Sequence, residues 1–326
     1  MKKGPHIGII GAGISGLSCA ARLNQAGMTV TLVDKARGPG GRISTRRDGQ
    51  RRFDHGAQYF TARSESFQQT VESWRLAGAV APWTGRFATW AAGVFTHDEP
   101  RSTRWVGAPR MSALPRYLAK DLDVRTAERI TALVREPQGW VLHNDSGDAS
   151  EPFDVVLLSC PGPQAAALLP ADCMLHQRAS SLSYRACWAV MAHYEATVPI
   201  GFDGVRLTGS PLSWVARDSS KPGRDCGERW VLHASSEWSE ANLEADPQWV
   251  CATLAEAFAE LGAPTPSDAK AHRWRYALSE LGRHSAAYFE PGWGLGLCGD
   301  GLARPRVEDA WRSGATLAEL VKAGVG

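Results

Sequence analysis

The sequence has little that would place the chain in a membrane, in a disulfide-rich fold or on nucleic acid. No apolar run approaches the roughly 18 residues that a membrane helix needs. The seven cysteines are scattered, with no CxxC pair and no Cys/His cluster, so neither a disulfide framework nor a zinc site is predicted. Lysine and arginine total 36 against 34 acidic residues, and no basic run favours nucleic acid. There is no internal repeat and no low-complexity segment.

The usual hydrolytic signatures are also missing. We find no Ser-His-Asp set and no HExxH motif, so neither acyl transfer nor zinc hydrolysis is predicted. The first residues, Met1-Lys2-Lys3, resemble the start of a signal peptide. A glycine-rich motif follows them in place of an apolar stretch with a cleavage site. We therefore predict a soluble, cytoplasmic protein that binds no metal and no membrane.

What the chain does have is a nucleotide-binding pattern in its first forty-five residues. The apolar residues 6–10 predict a strand, GAGISG at 11–16 a tight turn, and 17–23 a helix. In such a turn Gly11 permits the bend, Gly13 lets a pyrophosphate approach the backbone, and Gly16 allows close helix packing. A strand rich in β-branched residues, 29–33, then leads to Asp34, about 20 residues after the turn. A carboxylate at this position accepts hydrogen bonds from the ribose hydroxyls. The context predicts a dinucleotide site.

The next loop indicates which dinucleotide. Residues 37–45 contain the pattern Arg-x-x-Gly-Gly-Arg followed by Ser44 and Thr45, and this resembles the RxGGR element of glutathione-reductase-like flavoproteins, which supports FAD. Arg42 is a candidate for bidentate pairing with a phosphate. Near the other end, strand residues 294–298 precede Gly299-Asp300, which resembles the second FAD signature of flavoprotein oxidases and hydroxylases. There Asp300 would hold the ribityl chain, and the helix starting near Val307 would direct its dipole at the flavin.

The predicted fold is a two-domain α/β flavoprotein, in keeping with a length of 326 residues. A Rossmann-type FAD-binding domain is assigned to residues 1–80, 101–165 and 276–326. A substrate domain of mixed or antiparallel sheet plus helices is assigned to 81–100 and 166–275. The predicted cofactor-binding residues are Gly11, Ala12, Gly13, Ile14, Ser15, Gly16, Asp34, Lys35, Gly41, Arg42, Gly56, Ala57, Gln58, Tyr59, Phe60, Thr61, Ile130, Gly299, Asp300 and Val307.

Several segments together resemble the bacterial renalases. They are the two FAD signatures, FDHGAQYF at 53–60, WVLHASSEWS at 230–239 and RWRYA at 273–277. The segment 230–239 discriminates best, because amine oxidases share the FAD motifs. The resemblance implies a p-hydroxybenzoate-hydroxylase-like fold with non-covalent FAD. It also implies oxidation of the 1,2- and 1,6-dihydro isomers of NAD(P)H to NAD(P)+, with hydrogen peroxide formed by O2.

This chemistry requires few catalytic groups. A dihydropyridine carries a transferable hydride, and flavin N5 can accept it directly when the donor carbon is held in position. No catalytic residue is therefore predicted, and Cys298 is interpreted as a buried strand cysteine rather than a flavin attachment. Lys221 and Lys270 have no context that ties them to the flavin-facing lysine of many amine oxidases. The predicted substrate-binding residues are Gln58, Tyr59, Trp214, His233, Trp238 and Trp274.

Three functions stay open on the sequence. The first is the renalase-like oxidase, with a small dinucleotide and O2 as partners. The second is a flavin amine oxidase, with a flavin hydroxylase as its variant. The third is a non-catalytic sensor that binds FAD or a nucleotide. Each predicted pocket residue also has a structural interpretation, because strand tryptophans and histidines are commonly core residues. The sequence does not indicate which isomer is preferred, whether the NAD or the NADP form is used, or what the oligomeric state is.

Overall fold

A computed structural model describes residues 4–99, 101–280 and 285–325; Met1-Lys2-Lys3 lie outside the described residues. The strands of the first half are β1 His6–Ile10, β2 Thr29–Asp34, β3 Arg46–Asp48, β4 Arg51–Phe53, β5 Val80–Pro82, β6 Phe87–Ala91, β7 Val94–His97, β8 Trp105–Gly107, β9 Asp123–Thr126, β10 Ile130–Glu136, β11 Gly139–Asn144 and β12 Val155–Leu158. Those of the second half are β13 Tyr184–Tyr194, β14 Gly204–Thr208, β15 Leu212–Arg217, β16 Glu228–Ala234, β17 Asp268–Ser279, β18 Ala287–Glu290 and β19 Leu295–Cys298.

The helices are fewer. They are α1 Ile14–Gln25, α2 Glu65–Leu76, α3 Ala113–Ala119, α4 Gly162–Ala166, α5 Met174–Ser180, α6 Ser236–Ala241, α7 Pro247–Ala259 and α8 Val307–Val325, with short 3-10 turns at Gly41–Ile43, Asp218–Ser220 and Asp300–Leu302. Asp246 caps α7 by accepting the backbone N–H groups of Gln248 and Trp249, which fixes the start of that helix. No helix in the described part of the chain is both long and apolar enough to span a bilayer.

The chain forms two compact units. The first contains Met1–Arg42, Pro115–Tyr184 and Ser279–Gly326, and the second contains Ile43–Leu114 and Arg185–Leu278. The first unit is built on a six-stranded sheet in the order β18-β19-β12-β1-β2-β9. Its strands run parallel except for the β18 edge. The central strands β1 and β12 are buried almost throughout, as a sheet covered on both faces requires.

The second unit is built on a seven-stranded sheet in the order β17-β13-β16-β15-β14-β6-β7. Its described pairings are antiparallel apart from β14 with β6. Strand β16 shows the period-two alternation of faces that is typical of a strand. Trp230, Leu232 and Ala234 lie in one hydrophobic cluster with residues of α7, whereas Val231 contacts a separate cluster on the other face.

The predicted domain ranges differ from these units at four segments, of which the shortest, 276–278, was predicted for the FAD-binding domain and lies in the second unit. Residues 43–80 and 101–114, predicted for the FAD-binding domain, lie in the second unit. The reason is backbone pairing: β5 pairs with β8, and Phe60 exchanges two hydrogen bonds with Trp105. Residues 166–184, predicted for the substrate domain, lie in the first unit, because Leu169, Leu175 and Ala179 belong to a hydrophobic cluster around β12 and β19.

Candidate functional site

The glycine turn of the first unit has the geometry that its sequence predicts. Gly11 has φ of +108°, which a residue with a side chain rarely adopts. A Cβ on Gly16 would lie 2.1 Å from the carbonyl oxygen of Gly11, so only glycine allows α1 to begin this close to β1. Both residues are therefore required by the backbone before any ligand is considered.

Gly13 differs, because a Cβ placed there would meet nothing within 4 Å. The second glycine loop lies beside it. Gly40 donates its N–H to the Ala12 carbonyl at 2.9 Å, and Gly41, at φ +53°, would place a Cβ 3.8 Å from the Gly13 Cα. The first N–H groups of α1 have no intrahelical acceptors, as in any helix. Two bare backbone loops beside a helix N-terminus fit a pyrophosphate.

Asp34 ends β2 and is tied to the same turn. Its carboxylate accepts the N–H of Ala12 at 2.7 Å and the N–H of Ala36 at 2.8 Å. Each carboxylate oxygen keeps a further lone pair, which fits the prediction that Asp34 accepts hydrogen bonds from the ribose hydroxyls. Lys35 donates to the side chain of Gln164, and Ile130 is buried in a cluster that includes residues of β1 and β2.

Arg42 and Asp300, the predicted phosphate and ribityl contacts, pair with each other. Two parallel hydrogen bonds join the guanidinium to the carboxylate, at 2.9 and 2.5 Å. Burial alone would lower the pKa of Arg42, but the charge and hydrogen bonds of Asp300 raise it. No local pattern in the sequence predicts this bidentate pair, which connects the two FAD signatures across more than 250 positions of the chain. Their separate contacts with FAD stay predictions.

The helix predicted after Asp300 begins at Val307, as the sequence analysis placed it. Gly299 has φ of +144° and donates its N–H to Ser313 Oγ at 2.8 Å, which fixes the turn before the helix. A Cβ on Gly314 would lie 1.9 Å from the carbonyl oxygen of Ser15, so α8 crosses α1 with backbones in contact. The two helices that carry the FAD signatures are held together by this glycine.

In the second unit, the segment 56–61 was predicted to contact both cofactor and substrate. Gln58 is 5% exposed, and its amide nitrogen donates to the carbonyl oxygens of Asp54 and Gly56. Its amide oxygen accepts from Lys221 Nζ at 3.0 Å. Both amide protons are therefore engaged within the chain, and one lone pair on the oxygen remains for a ligand.

Lys221 lies in a buried ionic cluster that the sequence analysis missed. Its ammonium group is 2.7 Å from Asp218 Oδ1 and 3.6 Å from Asp54 Oδ2, and its side chain is 0% exposed. Asp54 also accepts from Arg224, from Thr45 and from a backbone N–H. Burial alone would raise the pKa of the Asp54 carboxyl, but Lys221 and Arg224 hold it below its usual value. Burial, together with Asp54, raises the pKa of Asp218.

The backbone carbonyl of His55 accepts from His233 and Trp274, and the His55 ring contacts a third histidine, His272. His233 Nε2 lies 3.2 Å from that oxygen, and Trp274 Nε1 donates to it at 3.0 Å. The His55 ring is 4.8 Å from the ring of His272 and 4.9 Å from that of Trp274. Because a carbonyl only accepts, His233 carries its proton on Nε2. The structure thus brings two predicted residues, His233 and Trp274, to one acceptor.

All three imidazoles are held neutral at physiological pH. Burial, with the neighbouring His272 and Arg46, lowers the pKa of His55 to about 3. Burial lowers the pKa of His233 to about 4, and burial with Arg46 lowers that of His272 to about 4. Arg46 donates toward His272 Nδ1 at 3.0 Å, which a neutral ring accepts and an imidazolium cannot.

Tyr59 and Trp214, two further predicted residues, belong to an aromatic group. Their ring centroids are 5.7 Å apart, and Trp83 lies 6.4 Å from Tyr59. Trp214 pairs in register with His233 on the adjacent strand, so both belong to one part of the sheet. The buried Trp214 Nε1 has no hydrogen-bond acceptor among the described residues.

Trp238 is placed differently from the other five predicted residues. It lies on α6, a helix that the sequence analysis did not predict, and stacks on Trp249 with ring centroids 5.7 Å apart. It also packs against the hydrophobic cluster of α7, which gives it a structural role.

The residues that sequence reasoning missed are Asp54, His55, Asp218, Lys221 and His272. Lys221 follows a run of small polar residues that is typical of an exposed turn, yet its side chain is fully buried. The available signal was Asp218, three residues earlier, with which it pairs. The burial of Lys221 beside Asp54, which lies far away in the sequence, leaves no periodic pattern from which it could be predicted.

Comparisons with known proteins agree with this architecture. Residues 9–74 match an NAD(P)-binding Rossmann-like domain. Residues 86–321, well over half of the chain, match the family described as flavin containing amine oxidoreductase. The chain belongs to that family. Membership and the Rossmann-like domain imply FAD as the cofactor, and the open glycine turn and Asp34 fit it.

Relatives of known structure share the fold at low identity. A candidate protoporphyrinogen oxidase from Exiguobacterium sp. 255-15 superposes with a TM-score of 0.78 at 13% identity, covering 98% of this chain and 99% of the other. A putrescine oxidase bound to putrescine gives 0.74 at 15% identity, with the same coverage. The predicted α/β flavoprotein fold is therefore confirmed.

A curated relative matches only part of the chain. The bifunctional tRNA 5-methylaminomethyl-2-thiouridine biosynthesis protein MnmC from Magnetococcus marinus is 28% identical over 206 residues, which is 50% of this chain. The matched region spans 30% of that relative's own length. This likeness does not assign an activity to the chain.

Proposed function

We propose that this protein is a flavin-dependent oxidase of the renalase type. It takes a hydride from 1,2- or 1,6-dihydro isomers of NAD(P)H and releases NAD(P)+. The FAD is held non-covalently, and the partners are a small dinucleotide and O2, in the cytoplasm. FAD, when bound, supplies a two-electron acceptor that O2 reoxidises with formation of hydrogen peroxide.

The observation that carries this proposal is the neutrality of the predicted substrate residues. His233, Trp274, Tyr59 and Trp214 present aromatic or imidazole rings, and the pKa of His233 is lowered to about 4 by burial. Such rings suit a flat, uncharged dihydropyridine, which stacks on aromatic faces. Since the donor carbon already holds the hydride, the site needs no group that gains or loses a proton.

The carboxylates of the second unit argue in the same direction. Asp54 and Asp218 lie beside Lys221, which donates to Gln58, and both carboxylates are engaged by cations of the chain itself. An alkylammonium substrate would need to displace Lys221 or Arg224 to reach them, at the cost of a buried ion pair. The carboxamide of a nicotinamide needs only donors and acceptors, and Trp214 Nε1 is a buried donor without an acceptor among the described residues.

An amine oxidase is the second candidate function. Family membership and the fold shared with a putrescine oxidase favour it. Lys221 adds a specific observation, because a buried lysine hydrogen-bonded to Gln58 lies beside a predicted cofactor-binding segment. In that case an aromatic cage of Tyr59, Trp83 and Trp214 would surround a neutral amine.

Anaerobic stopped-flow flavin reduction separates these functions. The purified holoprotein is mixed with 1,2- and 1,6-dihydro-NAD, with the matching NADP isomers, with ordinary NADH, and with a panel of amines that includes putrescine. The decrease of the oxidised-flavin absorbance band is followed in each case. We expect rapid reduction by at least one isomer, slow reduction by NADH and none by amines.

The other outcomes are equally informative. Reduction by amines with no response to either isomer would reject the proposal in favour of an amine oxidase. If none of the compounds reduces the flavin although it is tightly bound, the result would favour a non-catalytic flavin-binding sensor. With a positive isomer, the Trp214→Phe variant removes one indole donor while keeping an aromatic ring, so we expect a raised KM and a nearly unchanged limiting rate.

A further inference from the structure

A small cavity in the second unit is lined mainly by arginines and acids. Its volume is about 90 Å³, and its charged lining consists of Arg52, Arg110, Arg224, Arg229, Asp54, Asp218 and Asp225. A water needs about 10–15 Å³ by the same measure, so the cavity has room for several waters or for one tetrahedral oxyanion. None of the arginines was predicted as a functional residue.

The acids of this lining do not neutralise its arginines equally. Asp54 pairs with Arg224 and lies near Lys221, and Asp218 pairs with Lys221. The carboxylate of Asp225 is at an exposed position, and only its backbone carbonyl accepts from Arg229. Arg52, Arg110 and Arg229 therefore remain without a carboxylate partner in the described part of the chain. The cavity carries excess positive charge.

Several guanidinium donors in this lining lack acceptors. The Nε atoms of Arg224 and Arg229 are buried, with no hydrogen-bond partner among residues 4–99, 101–280 and 285–325. Their terminal nitrogens donate to carbonyl oxygens, at 2.7 Å from Arg224 Nη1 to Gly107 and 2.7 Å from Arg229 Nη1 to Cys226. Arg229 is only 4% exposed, so solvent does not readily satisfy its Nε group. Buried donors without acceptors cost free energy unless a ligand or water satisfies them.

The half-exposed arginines add donors at the same cavity. Arg52 uses Nη1 for the carbonyl oxygens of Gly49 and Arg51, at 3.2 and 2.8 Å. Arg110 makes no side-chain hydrogen bond or ion pair in the described part of the chain. A planar guanidinium matches two oxygens of a phosphate at once. Arg52 and Arg110, which pair with none of the lining carboxylates, are therefore suited to bind one.

We propose that this arginine-lined cavity, defined by Arg52, Arg110, Arg224 and Arg229, is a binding site for a phosphate group. The ligand class is a phosphate monoester, a pyrophosphate end or free inorganic phosphate, because all present the same oxygens to the guanidinium groups. The site does not depend on the proposed oxidation of dihydronicotinamides. If that function holds, the phosphate comes from the adenosine part of the dinucleotide, and otherwise it comes from solution.

Isothermal titration calorimetry on holoprotein tests the site. FAD is kept saturating so that the dinucleotide site of the first unit is filled, and three probes are titrated: inorganic phosphate, ADP-ribose and 2′-phospho-ADP-ribose. We expect one site for at least one probe, with affinity that falls as NaCl is raised. The variants Arg52→Gln and Arg110→Gln should each weaken binding by about tenfold, which corresponds to the loss of one charge-assisted contact.

Matched controls keep the result interpretable. Arg75→Gln removes an exposed arginine of α2 that pairs with Glu72, and it should leave the dissociation constant unchanged. Arg110→Lys keeps the charge without the planar fork and should recover part of the affinity. Circular dichroism and flavin content confirm that each variant is folded. Arg224 and Arg229 are avoided because their loss would also disturb Asp54 and the loop at 225–226.

The three probes identify the source of the phosphate. Tighter binding of ADP-ribose or its 2′-phosphate than of inorganic phosphate, lost in the same two variants, assigns the site to a dinucleotide. If inorganic phosphate binds as tightly as ADP-ribose and its 2′-phosphate, the site is assigned to the free ion. No binding of any probe to the wild-type protein, or equal binding by Arg52→Gln, Arg110→Gln and Arg75→Gln, would overturn the proposal. Flavin reduction by a dihydro isomer, measured separately, would stand in either case.

Discussion

The ammonium group of Lys221 donates to the amide oxygen of Gln58 at 3.0 Å, inside the second unit and out of contact with solvent. The same nitrogen is 2.7 Å from Asp218, so one lysine holds both a predicted ligand-binding glutamine and a buried carboxylate. Gln58 is fixed by three hydrogen bonds within the chain. Its orientation is set before any ligand binds.

Replacing Lys221 with methionine should therefore destabilise the protein strongly. The substitution preserves most of the side-chain volume, but it leaves Asp218 and Asp54 with less positive charge and Gln58 without its donor. Loss of one partner from a buried ion pair costs about 3–5 kcal/mol. Urea denaturation of Lys221→Met should show that loss in the free energy of unfolding. Lys270→Met, which removes an exposed lysine paired with Asp48, should leave the midpoint nearly unchanged; an equal effect of both would contradict the buried cluster.

Gly13→Ala should separate cofactor binding from folding. The backbone of Gly13 has φ of −74°, and an added Cβ meets nothing within 4 Å, so the apoprotein should fold with unchanged stability. The methyl group would occupy the space predicted for the pyrophosphate, and we expect FAD affinity to fall at least tenfold. Fluorescence titration of the apoprotein with FAD measures this affinity.

Two other glycines serve as references for that experiment. Gly201→Ala also adds a methyl group in open space, at a position in the second unit, and should bind FAD normally. Gly16→Ala should reduce the yield of folded protein, because its Cβ would lie 2.1 Å from a backbone oxygen. Unchanged FAD affinity in Gly13→Ala would show that the pyrophosphate does not approach this turn.

The first unit could be predicted from the sequence because its features are local. Gly11, Gly16 and Asp34 lie within one strand-turn-helix-strand segment, where spacing along the chain sets spacing in the fold. The start of α8 at Val307 was predictable for the same reason. Arg42 and Asp300 were each predicted as ligand contacts, but their mutual pairing depends on strands that meet only in the folded sheet.

The second unit was less predictable because its site is assembled from distant segments. His233 and Trp274 were predicted, but His55, which supplies their common acceptor, was not. A backbone carbonyl has no signature in a sequence. Trp238 was predicted as an aromatic pocket residue within the segment 230–239, and the structure places it against Trp249 on the helical layer.

Acid should destabilise the protein through three histidines, of which His55 is buried and His233 and His272 are partly buried. In the folded chain their pKa values are about 3 for His55 and about 4 for His233 and His272, against about 6.5 in the unfolded chain. Between these values the unfolded state binds more protons, so stability is complete above pH 6.5 and falls as the pH drops toward 4. His55 and His233 should each contribute about 1–2 kcal/mol to the loss between pH 7 and pH 5. The contribution of His272 should be smaller, because solvent screens a ring that is partly exposed.

His272→Asn tests that assignment. Asparagine can still accept from Arg46 but does not titrate, so the slope of unfolding free energy against pH should decrease, by at most one proton. Urea denaturation at half-unit pH steps measures the slope. His97→Asn changes an exposed histidine of the same unit and should leave the slope as in the wild type. A wild-type slope in His272→Asn would mean that this ring is protonated in the folded protein.

The cysteines should show a single reactive thiol and no link to flavin. Cys226 is exposed, whereas burial raises the pKa values of Cys160, Cys187 and Cys298 to about 12. Because the thiolate is the reactive form, a disulfide reagent such as DTNB at pH 8 should modify one thiol per native chain, and Cys226→Ser should abolish that fast phase. Cys251→Ser, at a partly buried position, should leave it intact.

The same protonation state bears on how FAD is held. A cysteinyl flavin forms through a thiolate, and Cys298, the cysteine beside the Gly299-Asp300 motif, is held as a thiol by burial. Acid precipitation of the holoprotein should therefore release all of the flavin into the supernatant, where its absorbance gives the amount. Yellow colour retained in the pellet, and lost in Cys298→Ser, would instead establish a covalent bond and contradict the non-covalent assignment.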